Sequence, residues 1–353
     1  MSSNCSRAPT SSVLYESEDR QIAIIDIPRS IEESQVHDGF EAPSRRLLSA
    51  QPVTKPFNTP EPRDGGGGAA SASQQIADLM TAARVDDALQ HITSLHDGPW
   101  HLPRVTLEDC EDAQGRPAHD QGGTETKSEH CILGDARYLN GSIQDQSQIF
   151  KESAPRDFKL MVIDPPWPNR SVRRKKGSYS TVSNLAEMRQ LLSHIPVPQH
   201  LDHSGLVAVW ITNKPAVLDF LTSPGGQFAA WGLEVATEWT WCKVTTHGEP
   251  IYPLDSAWRK PWEKLLIAKR IGAPVPPVLA PKMIFSVPDL HSRKPNLRGL
   301  FSDVLGPGFS GLEVFARHLT AGWWSWGDEV LRFQDSRHWT SERIGNDTVE
   351  NHE

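Results

Sequence analysis

Residues 160–169 read LMVIDPPWPN, and within them Asp164, Pro165, Pro166 and Trp167 are the side chains best placed to do chemistry together. Neither proline has an N–H to donate, so a Pro-Pro step beside a carboxylate is a group of acceptors. An exocyclic amine, with two N–H donors, would satisfy it. Trp167 adds a flat face on which a base could stack, worth roughly 1–3 kcal/mol per base. Acceptors beside a stacking plane suit an amino group on a heteroaromatic ring better than a phosphate or a sugar. The plainer alternative is a rigid turn with Trp167 tucked into the core, and the tetrapeptide alone leaves both open.

A basic run follows directly. Asn169 opens the stretch NRSVRRKKGSY, which crowds Arg170, Arg173, Arg174, Lys175 and Lys176 ahead of Tyr179. Such a loop can neutralise phosphates and orient a polynucleotide, and Tyr179 could stack on a base from the opposite side. A solvated charge run and a nuclear-import signal are the competing readings, the second placing the protein in the nucleus. Three further stretches carry polar groups at the ends of apolar runs. Cys131-Ile132-Leu133-Gly134-Asp135 reads as a short strand that ends in Gly-Asp. His291-Ser292-Arg293-Lys294-Pro295 precedes a helix expected over residues 296–305, with Ser292 as its cap. Lys294 would then face the positive end of the helix dipole, a placement that favours a shared anion such as a cofactor carboxylate. Gly327-Asp328-Glu329 closes an aromatic strand, and a carboxylate there commonly takes ribose hydroxyls.

The elements that must hold these groups alternate. The four apolar residues before Asp164 read as a buried parallel strand, and two prolines forbid both helix and further pairing. Asp164 therefore sits at the carboxyl end of a strand, the edge where open α/β sheets bind ligands. Further strands are expected at 205–211, 235–244, 263–271, 311–316 and 322–330, with helices at 185–194 and after Thr212 and Asn213, which could cap it with Pro215 in the first turn. Alternating strands and helices give an α/β sandwich with a mostly parallel sheet. Residues 1–73 are rich in Ser, Pro and acidic groups and are expected to be mostly disordered. Within them QIAIIDI could dock as a strand or bind a partner. Residues 74–129 read as a small helical element and linker, 130–334 as the globular domain, and 335–353 as a polar tail.

Composition excludes several classes. The net charge of -8 rules out binding nucleic acid by bulk positive charge, so any such contact needs a local patch. No apolar run is long enough to cross a bilayer, and the first residues lack a basic-then-apolar leader. The four cysteines have no paired spacing and the 14 histidines no HExxH spacing, so neither disulfides nor a metal is expected. A dinucleotide-binding oxidoreductase would need a G-x-G-x-x-G after a strand, and there is none.

Taken in order, Asp164-Pro165-Pro166-Trp167, His291 to Pro295, Glu313-Val314-Phe315-Ala316-Arg317 and Ser325-Trp326-Gly327-Asp328-Glu329 resemble the eukaryotic N6-adenosine-methyltransferase 70-kDa-subunit family. Within it they are most similar to the methyltransferase-like protein 4 branch. The stretches PLDSAWRKPWEKLLIAKR and GWWSWGDEVLRFQ support this, and the resemblance covers residues 131–334. It implies a Rossmann-like three-layer sandwich, a class I methyltransferase of permuted, beta-class motif order. It implies methyl transfer from S-adenosylmethionine to the N6 amine of adenine. The substrate would be small nuclear RNA, with 2′-O-methyladenosine as a possible target, or DNA. Asp164 and the Pro165 carbonyl would hold the amine, with Trp167 and Tyr179 bordering the base. Lys294, Arg317 and His318 would meet the cofactor's methionine part or ribose, Asp135 and Ala136 its adenine, and Asp328 and Glu329 its ribose. Asp328 replaces the asparagine usual in that branch, and both accept from a hydroxyl. The alternative is an inactive nucleic-acid-binding partner of a methyltransferase, and the intact tetrapeptide argues against it.

Overall fold

The computed structural model describes residues 11–42, 45–58, 71–106, 130–168, 182–256 and 259–340. In chain order the strands are Val13–Glu16 (β1), Ile22–Ile25 (β2), Arg46–Ser49 (β3), Val105–Thr106 (β4), Arg137–Asn140 (β5), Phe158–Ile163 (β6) and Leu201–Ile211 (β7). They continue with Leu233–Lys243 (β8), Trp262–Arg270 (β9), Lys282–Ser286 (β10), Gly311–Val314 (β11), Trp324–Gly327 (β12) and Trp339–Thr340 (β13). Ten of them form one sheet in the order β1-β2-β10-β8-β9-β7-β6-β11-β12-β5. Only β1 and β9 run against the others, so the sheet is mostly parallel, as expected.

The period of two along β6 explains why its sequence is an unbroken apolar run. Met161 and Ile163 face one layer, with helices Ile143–Ser153, Leu185–Ser193 and Pro215–Thr222. Leu160 and Val162 face the other, with Ile27, Ile31, Leu300 and Phe301 from helices Ile27–Ser34 and Arg298–Leu305. A strand buried on both faces has no polar side to show. Each such Leu, Ile or Val contributes about 1.5–3 kcal/mol by leaving water. Chain direction then brings the carboxyl ends of β6, β7, β11 and β12 to one edge. The amino end of the reversed β9 reaches the same edge.

Several expectations fail in instructive ways. Residues 11–42 and 45–58 are folded, where the composition of 1–73 suggested disorder. Ile22–Ile25 pairs in parallel with β10, so the QIAIIDI stretch is a strand of the main sheet. Its few isoleucines are averaged away over a polar stretch, but packing on the sheet buries Ile24, Ile25 and Ile27 almost completely. Helix Ala72–Leu95 lies where a helical element was expected, yet Ile76, Leu79 and Met80 are exposed. Its buried face keeps Ile92 and otherwise consists of Thr81, Val85 and Ala88, set by packing on Ile24, Cys242 and Phe285. The strand expected at 131–133 forms later, at Arg137–Asn140, against β12. Residues 335–340 are no loose tail, because Trp339 pairs with Leu47 of β3. Lys214, not Thr212 or Asn213, occupies the N-cap position of Pro215–Thr222 and makes no side-chain capping bond, and the Asn213 amide donates to the Trp262 carbonyl at 2.6 Å.

Candidate active site

Asp164 is the first residue beyond β6, and its N–H still donates to the Val314 carbonyl of β11 at 3.3 Å. The sheet ladder therefore fixes where its carboxylate begins. The Pro165 carbonyl accepts from the Trp167 N–H at 2.8 Å, which folds the Pro-Pro step into a tight turn. Pro166 lines a shallow cleft with Ser142, Gln144, Phe315, Asp328 and Glu329.

A ladder of alternating charges crosses the edge. Lys243 Nζ lies 2.6 Å from Glu263 Oε1, and Glu263 Oε2 lies 2.9 Å from Lys294 Nζ. Lys294 Nζ is 3.1 Å from Asp164 Oδ1, and Asp164 Oδ2 is 4.0 Å from Arg317 Nη1. Arg317 Nε continues to Glu329 Oε2 at 3.1 Å, which Arg332 also meets at 3.0 Å. Burial works against Glu263 ionising, but the charges of Lys294 and Lys243 outweigh it and hold its carboxyl down to about 2. Burial likewise works against charge on Lys294, and Asp164 and Glu263 reverse the balance to raise it. Lys294 also lies 5.0 Å from the ring centre of Trp210 in β7.

The backbone around this ladder is held in costly conformations. Phe315 has φ 61 and Ser292 φ 69, and both residues line the cleft with Asp164 and Lys294. A bulky residue in the left-handed region costs of order 1–3 kcal/mol and persists only where its surroundings insist on it. The surroundings here include Gly327, where a Cβ would come within 3.1 Å of Phe315 Cα. The Lys294 loop is pinned by its neighbour Arg293, which donates to the Leu48 carbonyl at 2.9 Å and to Asp289 at 2.5 Å. The Asn296 N–H donates to Ser30 Oγ at 3.0 Å. The segment before residue 50 is thus structural support for the site.

Glu313 and His318 form the floor. The Glu313 carboxyl is pushed up to about 8, first by burial and then by Asp164. His318 is pushed down to about 4 by burial and by Arg293. Both are therefore neutral near pH 7, and their 3.9 Å approach is a contact between neutral groups. Asn296 Nδ2 links His318 Nε2 at 3.0 Å to Thr320 Oγ1 at 2.8 Å. The sign of the Glu313 effect on stability follows from linkage. Its folded value lies above the 4.5 of a free carboxyl, so the unfolded chain loses the proton first as pH rises. Stability falls across that window, until pH passes about 8. Glu313→Gln keeps a neutral side chain and should flatten this slope. Thermal melts at several pH values should show the variant gaining on the wild-type protein from about pH 4.5 to 8, and no further above that. Parallel curves would refute a half-buried, protonated Glu313.

Trp167 is where the stacking expectation gives way. Only 9% of it is exposed, and its indole N–H donates to the Trp210 carbonyl at 2.7 Å. Its ring meets Phe220 edge-on at 6.0 Å, inside the core under helix Pro215–Thr222. It anchors the Asp164 loop instead of offering a free face, because an apolar ring gains more from the core than from water. Trp167→Ala should cost about 3–5 kcal/mol of stability. Trp167→Phe, losing mainly one hydrogen bond, should cost about 1 kcal/mol. Denaturant titration of both would check this, and a near-neutral Trp167→Ala would restore the stacking role.

The other expected site residues divide three ways. Asp164, Lys294, Arg317 and His318 line one cleft, and Asp328 and Glu329 line the neighbouring one with Pro166. Lys294 is not in the first turn of a helix, since Arg298–Leu305 starts four residues later without a side-chain cap. Its two carboxylates, not a dipole, set its place. Asp135 and Ala136 line neither cleft. They precede β5, at the opposite end of that strand from Asn140, with Asp135 paired to His37 and Ala136 packed on Ala316 and Val330. Asn169, Arg170, Arg173, Arg174, Lys175, Lys176 and Tyr179 lie outside the described residues. Glu263, Lys243, Glu313 and Asn296 carry no role that the sequence alone assigns. Glu263 opens EKLLIAKRI, whose apolar pattern marks a strand and says nothing of which charge the antiparallel pairing with β8 will bring near. Among the described residues no group of His, Cys, Asp and Glu is placed to hold a metal, and no helix is long and apolar enough to cross a membrane.

An open, mostly parallel sheet covered on both faces, with a carboxylate and cations at its carboxyl edge, has the architecture of a class I methyltransferase. Comparison with known proteins agrees. The MT-A70 family model matches residues 158–329. The chain is 48% identical over 340 residues to the N6-methyladenosine RNA methyltransferase MTA1 of Cryphonectria parasitica, covering 94% of this chain and 95% of that one. It is 44% identical over 365 residues to the protein of the same name from Pyricularia oryzae, with 94% and 96% covered. It is also 39% identical over 188 residues to the N(6)-adenine-specific methyltransferase METTL4 of Mus musculus, covering 50% of this chain and 38% of that one. The chain belongs to the MT-A70 family. The likeness to METTL4 spans half the chain, whereas the MTA1 proteins match it along nearly its whole length.

Proposed function

We propose that this protein transfers a methyl group from S-adenosylmethionine to the N6 amine of adenine in a nucleic acid, with RNA favoured over DNA. The observation that carries the reading is the carboxylate of Asp164, fixed at the end of β6 between Lys294 and Arg317. The intact Asp-Pro-Pro-Trp and the names of the full-length relatives support catalysis over a binding role alone.

The residues present fit the cofactor by charge. Lys294 and Arg317 would hold its carboxylate, Glu313 and Asp164 would accept from its ammonium, and Asp328 would accept from ribose hydroxyls. When bound, S-adenosylmethionine supplies an electrophilic methyl on a sulfonium. The adenine amine is a poor nucleophile because its lone pair is delocalised into the ring. Asp164, accepting an N–H of that amine, localises the lone pair and stabilises positive charge growing on nitrogen. The Pro165 carbonyl has a second lone pair beyond the one Trp167 uses and can accept the other N–H. Fixed electrostatics and positioning would supply most of the acceleration. A duplex would have to release its base at a cost of a few kcal/mol, so single strands are the better substrates.

A labelled-methyl assay on matched RNA and DNA oligonucleotides tests this, with nucleosides resolved by mass spectrometry after digestion. Arms with and without a 2′-O-methyl on the target adenosine decide that preference. N6-methyladenosine as the labelled product is the expected result. Label on another atom, or none with cofactor bound, would overturn the reading.

A further inference from the structure

A second group of aromatic and cationic side chains lies on the same edge of the sheet, beyond the Lys243 end of the charge ladder. The Ile251 N–H donates to the Lys243 carbonyl at 3.1 Å, so the loop after β8 is tied to the residue that pairs with Glu263. Residues 53–57 are clipped onto this loop from outside. Thr246 donates to the Val53 carbonyl and Phe57 donates to the Ile251 carbonyl, both at 2.9 Å. Phe57 is thus held by its backbone, yet its side chain is 46% exposed. Its ring lies 5.6 Å from that of Tyr252, tilted at 43°. The Arg259 guanidinium stands 5.7 Å over the Tyr252 ring and donates to the Tyr252 hydroxyl at 3.2 Å. Lys55 is exposed two residues before Phe57.

A phenylalanine fixed in water forgoes about 25 cal/mol for every Å² of apolar surface it leaves wet. Lys55 and Arg259 put cations beside it, in a loop that also carries the exposed carboxylates of Glu249 and Asp255. An aromatic face beside guanidinium and ammonium groups matches a base with its phosphate, and stacking tolerates any base. The apolar part is one ring and the edge of another, too small for a stable protein interface, which needs about 800 Å² per partner. We propose that Phe57, Tyr252 and Arg259 form an accessory nucleobase platform, which binds a nucleotide flanking the target adenine in a single-stranded substrate. This rests on the nucleic-acid reading above and assigns it a subsite away from the reacting atoms.

The test uses the full chain, a fluorescein-labelled single-stranded RNA that the wild-type protein methylates, and the same RNA with single abasic positions on either side of the adenine. Phe57→Ala should weaken RNA binding, and raise KM for RNA, roughly 5- to 150-fold. The rate at saturating RNA and the cofactor affinity should stay near wild type, and Phe57→Trp should restore binding. One abasic position should weaken wild-type binding by a similar factor and add nothing further in Phe57→Ala. Unchanged RNA affinity in Phe57→Ala, or losses that add at every abasic position, would overturn the platform. A wild-type protein that methylates no adenine would instead sink the proposed function, a separate readout.

Discussion

Asp164→Ala should lower the single-turnover rate of methyl transfer at saturating cofactor at least a hundredfold to a thousandfold, while the protein stays folded and still binds cofactor, more weakly by the loss of one acceptor for its ammonium. The magnitude is that of removing one preorganised acceptor from a developing charge, about 3–4 kcal/mol. The fold should survive because the ladder does not end at Asp164. Lys294 keeps Glu263 at 2.9 Å, and Arg317 keeps Glu329 at 3.1 Å. Asp164→Asn retains shape and one acceptor but no charge, and should lie between the two. Calorimetric titration with S-adenosylmethionine separates loss of chemistry from loss of binding. Turnover near wild type in either variant would remove Asp164 from the reaction.

The second large effect is expected at Glu263. One carboxylate there is shared by two ammonium groups, at 2.6 and 2.9 Å, with about a quarter of its side chain exposed. Glu263→Ala leaves Lys243 and Lys294 facing each other with no carboxylate between them, and Lys294 with Asp164 alone. Breaking such a pair costs about 3–5 kcal/mol when fully buried, and partial exposure reduces this to about 2–4. The same change frees Lys294 from its place beside Asp164, so KM for the cofactor should rise about tenfold, a shift of about 1.4 kcal/mol. The maximal rate should fall less. Glu263→Asp should recover part of both. The pH dependence has a definite sign. The folded value, about 2, lies below the 4.5 of a free carboxyl, so the stabilisation is complete above 4.5 and is lost as pH falls through about 2. The gap in melting temperature between wild type and Glu263→Gln should therefore be widest near neutral pH and close in acid. A gap independent of pH would show that the carboxylate's charge is not what matters.

Much of the site was legible because covalent chemistry and local sterics write it into short stretches. Two prolines after an apolar run stop a strand wherever it is, so Asp164 had to stand at a strand end. Glycine before Asp328 and the apolar stretch before Arg317 did the same for β12 and β11. Where the reading failed, the deciding contact came from far along the chain. Trp167 could have faced either way, and it faces inward because Trp210, 43 residues later, presents a carbonyl for its N–H. Asp26 and Glu32 looked like part of a polar tail. Asp26 accepts from Arg29 and Leu102, and Glu32 from Arg46 and Leu47, burying charges that composition would leave in water. Lys294 looked like a helix-dipole residue and is an ion-pair residue, since Glu263 reaches it only through the reversal of β9.

By itself, the sequence determined the layered α/β frame and the edge at which Asp164, Arg317 and Glu329 gather. Periodicity and backbone-restricting residues are local properties and need no partner to be read. Tertiary structure alone decided which charges face one another, that Trp167 is an anchor, that Glu313 is neutral, and that the chain before residue 50 holds the Lys294 loop. Those outcomes depend on burial and on distances between residues remote in sequence. A charge's surroundings, unlike its helix or strand, exist only once the sheet has closed over them.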